Sequence, residues 1–186
     1  MRLHAFVTAS AVILAFATSH AFAETEKQKK QAEIRQSAAT SLQEFYKAQP
    51  GLQADVEKAP GYAVFTTYGL SFVIGGQGGG GLAHDNKSKK DTFMSMAQGS
   101  AGLQAGLAKS KVLIIFSTAK EMNEFVTKGW VASGTTAVGA GAGQENVSAS
   151  GGATFGQSRY YTLTSAGLQA SGALAGTKFW KDKGLN

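Results

Sequence analysis

The stretch GYAVFTTYGLSFVIGGQGGGGL, residues 61–82, decides the fold. Its first part is rich in the β-branched and aromatic residues that strands favour. Its second part, from Gly75 to Gly81, is glycine interrupted only by Gln77. Glycine is unfavourable in helices, and in strands it marks bulges, tight turns or the close approach of another backbone. We therefore interpret the stretch as β structure, with the glycine run as part of a glycine-lined strand pair.

The same texture continues along the chain, since most of its 24 glycines lie between Gly61 and Gly176. Segments with the alternating or β-branched pattern of strands recur throughout this region. They are residues 62–65, 70–74, 92–96, 111–116 and 159–164. Several short strands joined by glycine-rich turns predict an antiparallel sheet or a partial barrel.

The preceding residues, 24–58, are charged and nearly free of glycine, and they have helical spacing. Apolar side chains recur three and four residues apart on one face of this segment. They are Ile34, Ala38, Leu42 and Phe45. Pro50-Gly51 ends this helix, and one or two further turns follow before Pro60-Gly61. We expect an amphipathic helix that packs on the sheet.

A second helical segment is predicted at about 118–128. Thr118 and Glu121 have the spacing of a capping box, and Gly129 has the position of a C-terminal stop. The fold class is thus α+β, with N-terminal amphipathic helices on a glycine-rich antiparallel sheet. Residues 24–186 are expected to form one unit, with the tail beyond Phe179 frayed.

The first 23 residues have the pattern of a signal peptide. Met1-Arg2 is basic, residues 5–17 are mostly apolar, and Ala21-Phe22-Ala23 is a small-x-small cleavage site. The apolar run is shorter than the roughly 20 residues of a spanning helix. We expect cleavage after Ala23 and a periplasmic or secreted protein, held together without disulfides because the chain has no cysteine.

The search for catalytic residues finds little. His84 is the one histidine that remains after cleavage, and no Gly-x-Ser-x-Gly elbow accompanies it. A metal site formed by His84, Asp85 and Asp91 is chemically conceivable, but one imidazole and two loop carboxylates are a weak set. The glycine run matches a dinucleotide fingerprint without the helix that should follow it. We therefore expect no enzyme, no metal and no cofactor.

Lysines cluster three times in a chain of formal charge +6. The clusters are Lys27, Lys29 and Lys30; Lys87, Lys89 and Lys90; and Lys178, Lys181 and Lys183 beside Trp180. Lysines contact lipid phosphates, and tryptophan lies at the apolar boundary of a membrane surface. These residues are the candidates for a lipid-headgroup site with Trp180 as an interfacial anchor, while a solvated surface remains the alternative. Single-stranded nucleic acid would use similar residues, but export argues against it.

Five blocks follow one another along the chain in a characteristic order. They are Ala59-Pro-Gly-Tyr-Ala-Val-Phe65, Val73-Ile-Gly-Gly-Gln-Gly-Gly-Gly-Gly-Leu82, Gly99-Ser-Ala-Gly-Leu-Gln-Ala-Gly106, Val112-Leu-Ile-Ile-Phe-Ser117 and Tyr161-Thr-Leu-Thr-Ser-Ala-Gly-Leu-Gln-Ala-Ser-Gly172. Together these blocks resemble the SYLF domain, a lipid-binding domain also described as actin-binding. We place this SYLF-like domain at residues 59–179.

The resemblance implies non-enzymatic binding of membrane phospholipid, with phosphoinositide or actin as partners of eukaryotic relatives. This chain has Thr162-Leu-Thr-Ser-Ala166 where those relatives often carry basic residues. An anionic or envelope phospholipid is therefore the expected ligand, and actin is not expected for an exported protein. The alternative is an envelope assembly protein that oligomerises through glycine-rich strands such as 131–143.

Overall fold

Two helices precede the sheet, in the order that the N-terminal spacing predicts. The computed structural model describes residues 10–73, 76–99, 110–132, 153–155, 157–164, 167–169 and 177–186. Helix α1 (Ser10–Ala48) runs through the predicted cleavage position and ends before Pro50, and α2 (Gly51–Lys58) stops before Pro60. The ring nitrogen of Pro50 carries no hydrogen and therefore cannot donate the next hydrogen bond of α1. The chain turns there.

The described strands form one antiparallel sheet that curls into a half-barrel. The strands are β1 (Gly61–Val73), β2 (Gly76–Asp85), β3 (Asp91–Gly99), β4 (Lys111–Phe116), β5 (Trp130–Ala132), β6 (Ala153–Phe155), β7 (Ser158–Thr164), β8 (Gly167–Gln169) and β9 (Thr177–Lys181). Their spatial order is β5-β9-β3-β2-β1-β4-β7-β6, with β8 also paired to β7. The predicted α+β class with helices on an antiparallel partial barrel is confirmed.

The strand pattern predicted most of the central strands and missed the short ones. Segment 62–65 and residues 70–73 of segment 70–74 belong to one long strand, β1, whose register with β2 shifts between Tyr68 and Val73, while residue 74 lies outside the described residues. The glycines from Gly76 to Gly81 belong to β2, which pairs with β1 and β3. This agrees with the prediction of a glycine-lined strand pair. Strands β5, β6 and β8 have three residues each, too few for an alternation to be recognised. Residues 100–106 and 133–143, to which predictions also applied, lie outside the described residues.

The prediction of a frayed tail is wrong. Residues 177–181 form β9 beside β3, and the turn that follows is fastened to the sheet. The Asn186 side chain accepts a hydrogen bond from the backbone N–H of Phe93 at 3.0 Å and donates one to the Phe93 carbonyl at 2.8 Å. Asp182 accepts the N–H groups of Gly184 and Leu185, which closes the turn. The Asn186 amide and the Asp182 carboxylate therefore order the tail, which its basic composition did not indicate.

Each face of the sheet carries its own core. Successive strand residues point to opposite faces, so Val64 and Leu113 pack under α1 and α2, whereas Phe65 and Ile114 pack under α3 (Ala119–Lys128). We call these the α1 face and the α3 face. The core of the α1 face includes the predicted helical residues Ala38, Leu42 and Phe45, with Ile34 partly buried against it.

Glycine allows β1 and β2 to lie close together on the α3 face. A Cβ atom on Gly81 would contact the carbonyl oxygen of Val64 and would lie 2.6 Å from a ring carbon of Phe65. At Gly80, which points to the opposite face, such a Cβ has no atom within 4 Å among the described residues other than its chain neighbours. The fold therefore requires glycine at position 81 for space and tolerates a side chain at position 80.

Helix α3 begins as predicted but uses its acidic residue differently. The hydroxyl of Thr118 accepts the N–H of Glu121 at 3.1 Å, and Gly129 ends the helix at a φ of 71°. The Glu121 carboxylate accepts instead from the Gln157 N–H and the Ser158 hydroxyl, at 3.0 and 2.8 Å. The helix is thereby tied to β7, and Met122 and Phe125 are buried on the sheet.

Candidate functional site

Members of all three lysine clusters lie towards one end of the sheet. Strand β1 begins there opposite the last residue of β2, and β3 begins and β9 ends there. Lys87, Lys89 and Lys90 lie in the loop that joins β2 to β3, while Lys181 and Lys183 end β9 and begin the C-terminal turn. We call this the lysine end. Lys178 lies farther along β9, near the opposite end.

The N-terminal part of α1 reaches the same end because it packs on the C-terminal turn. Lys27 donates to the Asn186 carbonyl at 3.0 Å, and Gln31 donates to the Leu185 carbonyl at 2.7 Å. Asn186 is in turn bonded to Phe93 of β3. The first and third clusters, which are far apart in the sequence, are therefore neighbours in space.

The charges of these lysines are not neutralised within the part of the chain that the structure describes. None of the nine forms an ion pair there, whereas Lys111 is paired with Glu44 and Lys128 lies 3.5 Å from Glu124. Eight of the nine are exposed, and Lys27 is half-buried. The lysine end therefore presents several uncompensated positive charges to solvent.

An exposed apolar patch lies on the edge of the sheet formed by β5 and β9, farther along β9 from the lysine end. Val131 is 55% exposed and Trp180 is 38% exposed, and they are the exposed large apolar residues of the described chain. Val131 of β5 is directly opposite Lys178 of β9, and Trp180 lies two residues farther on the same face. Diagonal neighbours of this kind lie within reach of aromatic side chains. We call Val131, Lys178 and Trp180 the edge patch.

The two tryptophans therefore have different environments. Trp130 stacks on Phe179 with ring centroids 5.4 Å apart and belongs to the α3 face. Trp180 follows Phe179 in β9 and so points to the other face, where it is exposed. The sequence has lysines on both sides of Trp180, and the structure shows that Val131 also lies beside it.

His84 takes part in a polar network that fastens α1 to the sheet. Its Nδ1 lies 2.7 Å from Asp91 Oδ1, and Arg35 of α1 donates to Asp91 Oδ2, also at 2.7 Å. The ring of Tyr62 lies 5.2 Å from that of His84. Asp85 is not part of this network, because its carboxylate accepts backbone N–H groups of its own loop.

The surroundings of this network shift the pKa values of Tyr62 and Asp91. Burial raises the pKa of Tyr62 to about 12, and the charges of Tyr46 and Asp91 add to the effect. Burial alone would raise the pKa of Asp91, but hydrogen bonds and charges from His84 and Arg35 outweigh it and lower that pKa. At neutral pH Asp91 is therefore ionised between two cationic or hydrogen-bonding partners.

No three His, Asp or Glu side chains among the described residues are grouped closely enough to hold a metal ion. Among the helices that are described, none is long and apolar enough to cross a membrane.

A pocket of about 230 Å³ lies between α3 and β4, with an apolar lining that includes Ile114, Phe116 and Trp130. The Glu121 carboxylate at this pocket is already hydrogen-bonded to Gln157 and Ser158.

Sequence reasoning could not identify the partners of these residues. Arg35 and Asp91 are 56 residues apart, and no local pattern relates them. Val131 was noted only as the start of a candidate edge strand, and its exposure beside Trp180 depends on the pairing of β5 with β9. The lysine clusters were visible as runs of charge, but their common location depends on the C-terminal turn.

Comparison with known proteins gives one bacterial relative and no family match. No family model matches the chain. Beta cell expansion factor A of Aeromonas veronii is 33% identical over 154 residues, which are 82% of this chain and 57% of that protein. The chain thus spans little more than half the length of the relative that it matches.

Proposed function

We propose that this protein is an exported, non-enzymatic phospholipid-binding protein of the SYLF type. Its ligand is an anionic or envelope phospholipid, and its site is the lysine end together with the edge patch. The proposal is supported by the sequence blocks that resemble the SYLF domain and by the curled sheet to which the described parts of those blocks belong. The similarity to a bacterial protein is compatible with it, and the biological role in that protein's name is a statement about that protein alone.

The observation that carries the proposal is the position of Trp180. An exposed tryptophan on a rigid strand, with Val131 beside it and lysines around it, has the composition of an interfacial anchor. Strand β9 is held between β3 and β5, so Trp180 is presented by the sheet and not by a flexible tail. Insertion of this edge would bring the lysines against the phosphates.

The charges act together in this mechanism. A lysine near an anionic membrane surface contributes about 1 kcal/mol, and the attraction decays within a Debye length of about 10 Å at 0.1 M salt. One lysine is therefore too weak to hold the protein, while several at one end give stable attachment. Trp180 and Val131 add an apolar contribution that salt does not screen.

Vesicle co-sedimentation of residues 24–186 tests the proposal, because that segment retains every buried residue of the described chain. We expect binding to phosphatidylglycerol vesicles that decreases at high salt. Replacing Lys87, Lys89 and Lys90 together with Gln removes up to about 3 kcal/mol, or about 100-fold in affinity at low salt. Trp180→Ala should weaken binding about fivefold at every salt concentration, as loss of about 1 kcal/mol of apolar contact predicts.

The matched control replaces Lys47, Lys120 and Lys128 with Gln, which removes the same charge from the end of α1 and from α3. If this control weakens binding as much as the lysine-end triple, attraction is set by net charge and the proposed site is wrong. If the wild-type protein binds no vesicle, the lipid function itself is wrong.

The second candidate function is an envelope assembly protein. Strands β5 and β6 lie at the two ends of the described strand order, and edge strands can pair with other chains. Lipid-free oligomers whose amount rises with concentration, together with absent vesicle binding, would favour this function. Sedimentation velocity of residues 24–186 measures the first of these properties.

A further inference from the structure

A polar pocket of about 200 Å³ lies at the lysine end, between the loop joining β2 to β3 and helix α3. Asp85, Lys90 and Thr92 line it from the sheet, and Asn123 lines it from α3 beside the apolar side chains Met122 and Val126. Pockets for drug-sized ligands usually measure about 300–1,000 Å³. The volume here suits a single headgroup with its polar atoms inside.

The loop that forms one wall is held by its own hydrogen bonds. Asp85 Oδ1 accepts the N–H groups of Lys87 and Ser88, each at 2.8 Å, and the Asp85 carbonyl accepts the N–H of Lys89 at 2.8 Å. Lys89 has a φ of 56°, and the Lys90 carbonyl accepts a hydrogen bond from the Asp85 N–H at 3.0 Å. The backbone beneath Lys90 is therefore fixed before any ligand arrives.

Three donors around the pocket are left unused. The Lys90 ammonium, the Thr92 hydroxyl and the Asn123 amide have no hydrogen-bond or ion-pair partner among the residues that the structure describes. A cation with two neutral donors is the set that binds a phosphate, whose oxygens accept from all three. Their convergence on one cavity distinguishes Lys90 from the other exposed lysines.

The same pocket carries a negative charge. The N–H of Ser88 is the main cause that lowers the pKa of Asp85, against a small opposing effect of burial, so the carboxylate stays ionised at neutral pH. A ligand with phosphate alone would meet this charge unfavourably. A ligand with both a phosphate and an ammonium group can satisfy Lys90 and Asp85 together.

We propose that this pocket binds a phosphoethanolamine group. Its phosphate accepts hydrogen bonds from Lys90, Thr92 and Asn123, and its ammonium donates to Asp85. The inference rests on the proposed function where the group belongs to a phospholipid, while free glycerophosphoethanolamine has the same chemistry. A choline headgroup carries no N–H and cannot donate to Asp85, so the pocket selects ethanolamine over choline.

Two measurements on residues 24–186 test the pocket. In the first, vesicles contain a constant share of phosphatidylglycerol, and phosphatidylcholine is replaced by phosphatidylethanolamine. We expect at least threefold tighter binding with phosphatidylethanolamine. In the second, glycerophosphoethanolamine is titrated while amide NMR shifts are followed, and residues 88–92 and Asn123 are expected to shift.

The variants separate the two charges of the pocket. Asp85→Asn keeps an oxygen that can accept the loop N–H groups but removes the charge, so it should abolish the preference for ethanolamine over choline. Lys90→Gln should abolish the NMR shifts. Lys120→Gln removes one charge from the first turn of α3 outside the pocket lining and should leave both results unchanged.

The outcomes distinguish this inference from the proposed function. Binding to anionic vesicles without ethanolamine preference or NMR shifts would overturn the pocket and leave lipid binding intact. NMR shifts in the predicted residues without any vesicle binding would support the pocket for a free phosphorylated amine and overturn the lipid function. Shifts that Lys120→Gln reduces as much as Lys90→Gln would also overturn the pocket.

Discussion

The two faces of the sheet are covered by helices in different ways. On the α1 face a long helix crosses the strands, and three ion pairs join helices to sheet, namely Arg35–Asp91, Glu44–Lys111 and Asp55–Arg159. On the α3 face a helix of 10 residues packs its own Phe125 against the rings of Phe65 and Phe179. Pockets of about 230 and 200 Å³ lie on the two flanks of this short helix.

The two helices differ in length, and the two pockets lie beside the shorter one. The α1 face is closed by many contacts along α1 and α2, and its polar groups are paired across the helix–sheet junction. Helix α3 is shorter and buries Met122 and Phe125 on its face. Both faces carry a buried core, and the two pockets described above lie beside α3.

The largest effect is expected from breaking the α1 face at Phe45. Its side chain is fully buried, and Phe45→Ala removes a large apolar volume from the core of that face. We expect a loss of about 3–5 kcal/mol in the free energy of unfolding. Urea denaturation measures it, and Gln43→Ala on the exposed side of α1 should change stability by less than about 0.5 kcal/mol. Equal losses in the two variants would show that α1 is not a main support of the fold.

A smaller effect on stability is expected from substitutions in β2, whose successive residues point to the two faces of the sheet. Gly81→Ala forces a methyl group against Phe65 and the carbonyl of Val64 on the α3 face, and should cost about 1–3 kcal/mol. Gly80→Ala points to the α1 face, where space is open, and should be neutral or stabilise by up to about 1 kcal/mol. Thermal unfolding of both variants tests the difference, and a reversed order would contradict the assignment of faces along β2.

The smallest effect concerns the ionised network of the α1 face. Because the pKa of Asp91 is lowered, its contribution to stability is present above the unfolded value of about 3.9 and is lost as the pH falls through the folded-state pKa. Arg35 is half exposed, so we expect less than about 1 kcal/mol. The difference between wild type and Asp91→Asn should decrease as the pH falls from 6 to 2, as urea denaturation can measure.

Glu33→Gln provides the control for that measurement, since Glu33 is an exposed carboxylate on α1, the helix that carries Arg35. Its difference from wild type should not follow the pH dependence seen for Asp91→Asn. If both variants lose stability in parallel over this range, the acid sensitivity comes from net charge and not from the network of Asp91, His84 and Arg35.

Local patterns predicted those elements whose signals are local. The step of three and four residues from Ile34 to Phe45 predicted the packed face of α1, and Pro50 and Pro60 marked the ends of both N-terminal helices. Thr118 predicted the first turn of α3, because a hydroxyl that caps a helix acts within one turn. The merging of two predicted segments into β1 was missed because Gly69, a residue unfavourable in strands, lies between them, although Thr66, Thr67 and Tyr68 are residues that strands favour.

The candidate site could be predicted only in its composition. The lysine clusters and Trp180 were evident as charge and aromatic residues, but nothing local indicated that the first and third clusters meet. That meeting requires Asn186 to bind the backbone of Phe93 and α1 to donate to the last carbonyls. The pocket was equally hidden, because it joins Lys90 of a loop to Asn123 of a helix that follows β4.

By itself, the sequence determined the fold class, the ends of the helices, the central strands and the positive charge, because periodicity, capping and glycine content act over a few residues. The tertiary structure decided which face each helix covers, which charges are paired and where Trp180 and Val131 come together. These properties depend on strand pairings and on contacts between residues distant in the chain, such as Arg35 with Asp91 and Lys27 with Asn186. Their energies arise only after the sheet has brought the partners within contact distance.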